Sequence, residues 1–175
     1  MLDMKLTRAT EQDFERITSF YRHVIDEMTD MDVYGKWIYG LHPTDDMIRG
    51  YIESGFLYYG EADGTMLSVL AVTPQGESYH DISWQKDFDD NDVAVIHLFC
   101  VDPGFQGQGV ARQTMEMVIE QSRKEGKNAV RLDAIPCNIP ALHLYESLGF
   151  QKRDQRLWHA DNLGWHDFYL YELIL

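Results

Sequence analysis

The apolar run Val93–Val101 leads through a short turn into Phe105-Gln-Gly-Gln-Gly-Val-Ala-Arg112, and an amphipathic stretch then continues to Gly126. Strand, glycine turn and helix in this order restrict the chain to a fold that lays helices on a sheet. The unit also has a chemical consequence. Two glycines remove side chains from the turn, and the first turn of a helix presents unpaired N–H groups at the positive end of its dipole. A phosphate-bearing ligand suits such a place.

Three phosphate motifs can be compared with these residues. A P-loop places Lys and then Ser or Thr after its last glycine, but Gly109 is followed by Val110 and Ala111. A dinucleotide fingerprint needs a third glycine where Arg112 stands, and a large side chain there obstructs close helix–strand packing. Asp133 is the acid that would support that reading. The third motif counts Gln106 as its first residue and reads Gln-x-x-Gly-x-Ala.

Gln106–Ala111 resembles the acyl-CoA pyrophosphate loop of the GNAT N-acetyltransferases, Gln/Arg-x-x-Gly-x-Gly/Ala. Three further segments are similar to that family: Leu98-Phe-Cys-Val-Asp-Pro103, Asn138-Ile-Pro-Ala141, and Leu144-Tyr-Glu146 followed by Gly149-Phe150. The likeness is strong from Val93 to Phe150 and general before that. It implies acetyl-CoA as cofactor, with the amides of Gln106, Gly107, Gln108, Gly109, Val110 and Ala111 around the pyrophosphate. The backbone of Phe99, Cys100 and Val101 would pair with the pantetheine amides, as an added strand does. Asn138 would contact the cofactor or brace the strand. It also implies the GNAT fold: a mixed, mostly antiparallel sheet of about seven strands, helices on both faces, and two parallel strands that splay apart.

Length and composition agree with one globular domain over residues 1–175, and the alternation of strand and helix signals argues for an α/β layered (α+β) architecture. The charge of −14 is unevenly spread. Gln106–Lys127 holds Arg112, Arg123, Lys124 and Lys127 against Glu116, Glu120 and Glu125. An anionic cofactor would meet a locally relieved region of an acidic protein. That field argues against nucleic acid and favours a substrate arriving as an ammonium ion, although solubility alone accounts for an acidic surface equally well. No apolar run has membrane-spanning length and the first residues lack a signal-peptide pattern. Cys100 and Cys137 lack metal spacing and read as reduced thiols, so the expectation is a cytoplasmic protein without metal. Homodimers are common in the family, and that assembly is left open.

Local signals predict a strand at Lys5–Ala9, a helix capped by Thr10 that fades near Met28, and a short helix from Pro43-Thr44-Asp45-Asp46 to Gly55. Strands at Phe56–Tyr59 and Met66–Val72 flank an Asp63-Gly64 hairpin turn. Pro74–Asp92 reads as a long functional or mobile loop. Next come the strand Val93–Val101 and a helix Gly107–Gly126 with Val110, Thr114, Met117, Val118 and Gln121 on one side. A strand Ala129–Ala134, a helix Ile139–Leu148, and strands at Trp158 and Phe168–Leu175 complete the chain.

Acyl transfer needs a neutral amine, a place for the carbonyl oxygen, and a proton for the leaving thiolate. Tyr145 is the candidate acid, in the role that the resemblance gives the Tyr of Leu-Tyr-Glu; the alternative is a core tyrosine sharing a face with Leu142 and Leu148. His97 is the candidate base, against a core histidine or a water chain. Asp133 and Glu146 are weaker alternatives. The acceptor site is expected from Asp26–Trp37, the Pro74–Asp92 loop and Trp158–Trp165. Acids (Asp26, Glu27, Asp30, Asp32, Glu77, Asp81, Asp87, Asp89, Asp90, Asp92) and aromatics (Tyr34, Trp37, Trp84, Phe88, Trp165) there suit an amine with an apolar body. The function expected is transfer of acetyl from acetyl-CoA to a primary amine of a small molecule or a protein. The alternative is a non-catalytic acyl-CoA sensor.

Overall fold

The computed structural model describes residues 1–175 as one seven-stranded sheet in the order β1-β2-β3-β4-β5-β7-β6. The strands are β1 (Lys5–Arg8), β2 (Leu57–Ala62), β3 (Thr65–Thr73), β4 (Val93–Val101), β5 (Ala129–Ala134), β6 (Gln151–Ala160) and β7 (Gly164–Ile174). Only β4 and β5 run parallel. The helices are α1 (Phe14–Glu27), α2 (Asp45–Glu53), α3 (Val110–Lys124) and α4 (Ile139–Ser147).

The two faces of the sheet have separate cores. Ile17, Tyr21 and Val24 of α1 and Ile48 and Ile52 of α2 cover β2 and β3 on one face. Met115, Val118 and Ile119 of α3 and Leu142 and Tyr145 of α4 cover β4, β5 and β7 on the other. Alternation along β4 explains the division: Ala94 and Ile96 point to the α3/α4 side, while Val93 and Val95 point to the opposite face, where they pack on Tyr79 and Ile82.

Helix starts follow the local chemistry. The Asp13 carboxylate accepts from the Thr10 N–H at 2.9 Å, and Thr44 Oγ1 accepts from the Met47 N–H at 3.1 Å. Asp63 and Gly64 both have positive φ, as the hairpin turn requires. Three expectations are corrected. α3 begins at Val110, because Gly107 and Gly109, at φ 76° and 81°, form a turn that a helix cannot continue through. Its buried stripe runs through Met115 and Ile119 rather than Met117 and Gln121. β6 is far longer than expected and β7 starts at Gly164 rather than Phe168, since their half-exposed hairpin is polar and shows little apolar alternation.

The Pro74–Asp92 loop is pinned to the sheet. Its aromatic residue Trp84 lies 4.3 Å over the guanidinium of Arg131, which is 0% exposed. Arg131 donates to Glu172 at 2.8 Å and to the Lys86 carbonyl at 2.7 Å, and Glu172 also accepts from the Gln85 N–H at 3.1 Å. Removing one member of such a buried pair leaves a stranded charge, at a cost of roughly 3–5 kcal/mol. The loop is therefore an anchored cover over β4, β5 and β7, built around Tyr79 and Ile82.

Candidate active site

β4 is bent by one extra residue. Its pairing with β3 steps from Val69↔Cys100 to Ala71↔His97, and Leu98 has φ 50°. A left-handed leucine costs about 1–3 kcal/mol. Two contacts hold it: the side chain is buried in the α1/α2 core, and its carbonyl accepts from the buried Tyr21 hydroxyl at 2.8 Å. The bulge places Leu98 on the same side of the sheet as His97, whose ring stacks on Tyr51 of α2 at 6.0 Å. Phe99 then faces α3 and α4.

β4 and β5 separate at the same level. Their last registered pair is Ile96↔Leu132, although β4 stays joined to β3 as far as Val101 and β5 to β7 as far as Ala134. Beyond this point β4 shows an unpaired backbone edge to a gap. His97 and Asp133, each one residue past the last pair, flank the split.

A cleft of about 820 Å³ runs through this gap. Phe99, Cys100, Val101, Gln106, Gly107, Gly109, Val110, Ala111, Asn138, Tyr145 and His97, all expected at the site, line it. Gln108 does not; its amide donates to the Gly104 carbonyl at 3.2 Å. A Cβ built on Gly107 or Gly109 meets nothing within 4 Å, so open space lies over the turn. No side chain caps the N-terminus of α3, and its amides are free for an anion. Arg112 lines the same end, held by Ser147 Oγ at 2.6 Å. Asn138 caps α4, accepting from the Ala141 N–H at 3.4 Å.

Protonation states follow from burial. His97 Nε2 lies 3.1 Å from Thr73 Oγ1, whose own proton goes to the Pro74 carbonyl at 2.8 Å. The ring nitrogen must then be the donor, which leaves the lone pair on Nδ1. Burial pulls the His97 pKa below its ordinary value, against an upward pull from Asp133. Tyr145 is 8% exposed, with its ring between Phe150 and Tyr171. Burial, with a smaller effect of Asp133, pushes its pKa well above that of a free phenol and keeps its proton in place. The Asp133 carboxylate accepts from the buried Tyr79 hydroxyl at 2.6 Å. Glu146 is exposed and accepts from Tyr171 at 2.9 Å.

The acceptor region is redrawn. Asp30, Tyr34 and Trp37 line the cleft, as do Ala160, Asn162 and Leu163 of the β6–β7 turn. No residue of Pro74–Asp92 does; Tyr79 alone reaches its wall, through Asp133. Glu77, Asp81, Asp87 and Asp89 are exposed on the loop surface, and Trp84 and Phe88 pack on Arg131. Trp165 is 70% exposed against His159 and outside the cleft. His42, Met47 and Tyr51 line it without having been anticipated. The spacing of Met47 and Tyr51, one helical turn apart, was the available signal.

Residues 14–150 match the family model described as Acetyltransferase (GNAT) family. The chain belongs to the GNAT acetyltransferase family. A [Ribosomal protein bS18]-alanine N-acetyltransferase of Escherichia coli is 38% identical over 61 residues, which cover 35% of this chain and 41% of that protein. Across the first relatives found, matched stretches cover 42%, 30% and 41% of the relative's own length. Among solved structures, an acetyltransferase of the GNAT family from Streptococcus agalactiae superposes with a TM-score of 0.80 at 18% identity, covering 100% of this chain and 98% of that one. A putative acetyltransferase from Salmonella typhimurium, solved with its cofactor acetyl-CoA, gives 0.66 at 19%, covering 98% and 94%. The family's seven-stranded sheet with its β4–β5 parallel pair is thus the fold of this chain. No helix is long and apolar enough to cross a membrane.

Proposed function

We propose that this protein transfers the acetyl group of acetyl-CoA to a primary amine by direct attack in a ternary complex. The observation that carries the reading is the split between β4 and β5, with His97 and Asp133 on one side of the sheet, Tyr145 on the other, and the glycine turn at the mouth. The amides of Gly107–Ala111, with Arg112, would hold the diphosphate. The free edge of Phe99–Val101 would pair with the pantetheine amides and offer N–H groups to the thioester oxygen.

His97 Nδ1 takes a proton from the arriving ammonium and passes it to water. Asp133 steadies the positive charge meanwhile. As the C–N bond forms and the C–S bond breaks, nitrogen sheds a second proton. The Tyr145 hydroxyl gives its proton to sulfur, and the proton shed by nitrogen returns through water to the phenolate, so the step balances. Two unpaired thiols, Cys100 and Cys137, support placement in a reducing compartment such as the cytoplasm.

Amine-dependent release of CoA thiol is the test. Acetyl-CoA binding with no release on any amine would replace the enzyme by a sensor. In the wild type the acid limb of the rate should fall below pH 6.5, because His97 is neutral above its lowered pKa and works only in that form. His97→Ala should lose that limb and about 100-fold in rate. An unaltered profile would assign the base to water.

A further inference from the structure

β5 turns Arg131 and Asp133 to one face of the sheet, because Val130, Leu132 and Ala134 pack into the α3/α4 core on the other. The Pro74–Asp92 loop supplies a partner to each. Gln75 and the Lys86 carbonyl accept from Arg131, and the Tyr79 hydroxyl donates to Asp133 Oδ2 at 2.6 Å. The two residues differ in what remains free. Arg131 is fully buried, whereas Asp133 is half-buried and lines the cleft. Tyr79 engages only one of its oxygens. Asp133 Oδ1 has no partner in the protein, yet the only buried side-chain polar atom left without one is Asn162 Oδ1. Asp133 Oδ1 is therefore open to a solvent-sized molecule.

The donor is rigid. The Tyr79 ring stacks on Trp158 at 6.1 Å and lies 5.4 Å from Trp84, whose Nε1 donates to the Tyr79 carbonyl at 2.9 Å. Val93, Val95 and Leu170 pack around it. A phenol held on this many sides sets the carboxylate rather than following it. A length of 2.6 Å is that of a hydroxyl donating to an ionised acceptor, a bond stronger than a neutral pair. Any acceptor would satisfy a buried tyrosine, but this one takes the acid beside the candidate base. His97 follows Val93 and Val95 onto the same face of β4, and both His97 and Asp133 lie one residue past the last registered pair. Burial lowers the pKa of His97 and of His42, and Asp133 is the next largest influence on each, raising both. The two cleft histidines thus share this carboxylate as their nearest compensating charge.

We infer, on the acetyl-transfer reading above, that Tyr79 is a positioning residue for the reaction: it fixes one oxygen of Asp133, so that the other is presented to the arriving ammonium and to the His97 imidazolium. The Pro74–Asp92 loop then serves the reaction without lining the cleft. Its anchor on Arg131 and Glu172 holds the segment that carries Tyr79, and Tyr79 carries the constraint to the split between β4 and β5.

CoA thiol release at saturating acetyl-CoA is measured with 2-phenylethylamine, spermidine, a peptide with N-terminal alanine and a lysine-containing peptide, and the probe with the highest kcat/KM is carried through the variants. Tyr79→Phe keeps the ring and removes only the donor. It should lower kcat/KM for the amine about tenfold, with the KM for acetyl-CoA unchanged. Asp133→Ala should lose at least as much, and adding Tyr79→Phe to it should cost less than about a further twofold, because no carboxylate is left to orient. A phenol that only packs would cost the same factor in both backgrounds. Asp133→Glu keeps the charge but moves it away from the hydroxyl; it should also lose about tenfold, and it decides the matter if Tyr79→Phe does not fold. A normal rate in Tyr79→Phe or in Asp133→Glu, or equal losses with and without Asp133, overturns the inference and leaves acetyl transfer standing. No release with any probe, while acetyl-CoA binds, overturns both.

Discussion

Gly109→Glu is expected to weaken acetyl-CoA binding by about 100-fold or more without unfolding the protein. Gly109 sits at φ 81°, so any side chain there pays the strain of the left-handed region, on the order of 1–2 kcal/mol. A Cβ at this position meets nothing within 4 Å, so the substitution costs no overpacking. The new carboxylate would also lie at the uncapped N-terminus of α3, where negative charge is favoured. The same features that let the variant fold make it unable to bind. Its carboxylate occupies the free amides and repels a diphosphate. Losing two charge-assisted hydrogen bonds at roughly 1.5–3 kcal/mol each accounts for the expected factor. Titration calorimetry measures it, with thermal melting as the control for folding. Near-normal affinity would remove the glycine turn from the site.

Tyr145→Phe is expected to lower kcat by on the order of 100-fold while changing the KM for acetyl-CoA little. The ring packs between Phe150 and Tyr171, and phenylalanine preserves those contacts, so only the hydroxyl proton is lost. The raised pKa keeps the Tyr145 hydroxyl protonated through neutral pH, so it meets the developing thiolate, a stronger base than the thioester sulfur, as a hydrogen-bond donor. The loss should shrink with acyl donors whose thiols are more acidic, since these need less help in leaving. An unchanged kcat at every pH would make Tyr145 a packing residue.

The residues lining the glycine-turn end of the cleft were legible in the sequence, and at the other end the segments Asp26–Trp37 and Trp158–Trp165 were legible but the Pro74–Asp92 loop was not. Gln106–Ala111, Asn138 and Tyr145 belong to one continuous stretch that resembles a family pattern, and all but Gln108 line the cleft. Gly107 and Gly109 mark the turn because few other residues adopt its dihedrals. The far end of the cleft instead depends on contacts between residues distant in the chain. Asn162 meets Lys36 across 126 positions, and Tyr79 meets Asp133 across 54. The acidic loop misled for the same reason. Its charges suggested a binding surface, but Arg131, fully buried beneath it, is paired with Glu172 and holds the loop as cover. An arginine in an apolar strand gives no sign of its partner's distance. The bulge at Leu98 was hidden too, since nothing in Ile96-His97-Leu98-Phe99 departs from an ordinary strand. Without the bulge His97 and Leu98 would face opposite sides, and His97 and the split would not form one arrangement.

A crystal structure with CoA bound would test most directly whether amides at the start of α3 hold a diphosphate and aim the thiol between β4 and β5. The expected result is phosphate oxygens within hydrogen-bond distance of the N–H groups of Gly107–Ala111, with the pantetheine amides paired to the free edge of Phe99–Val101. A diphosphate held elsewhere on the protein, with that strand edge left unpaired, would contradict the account.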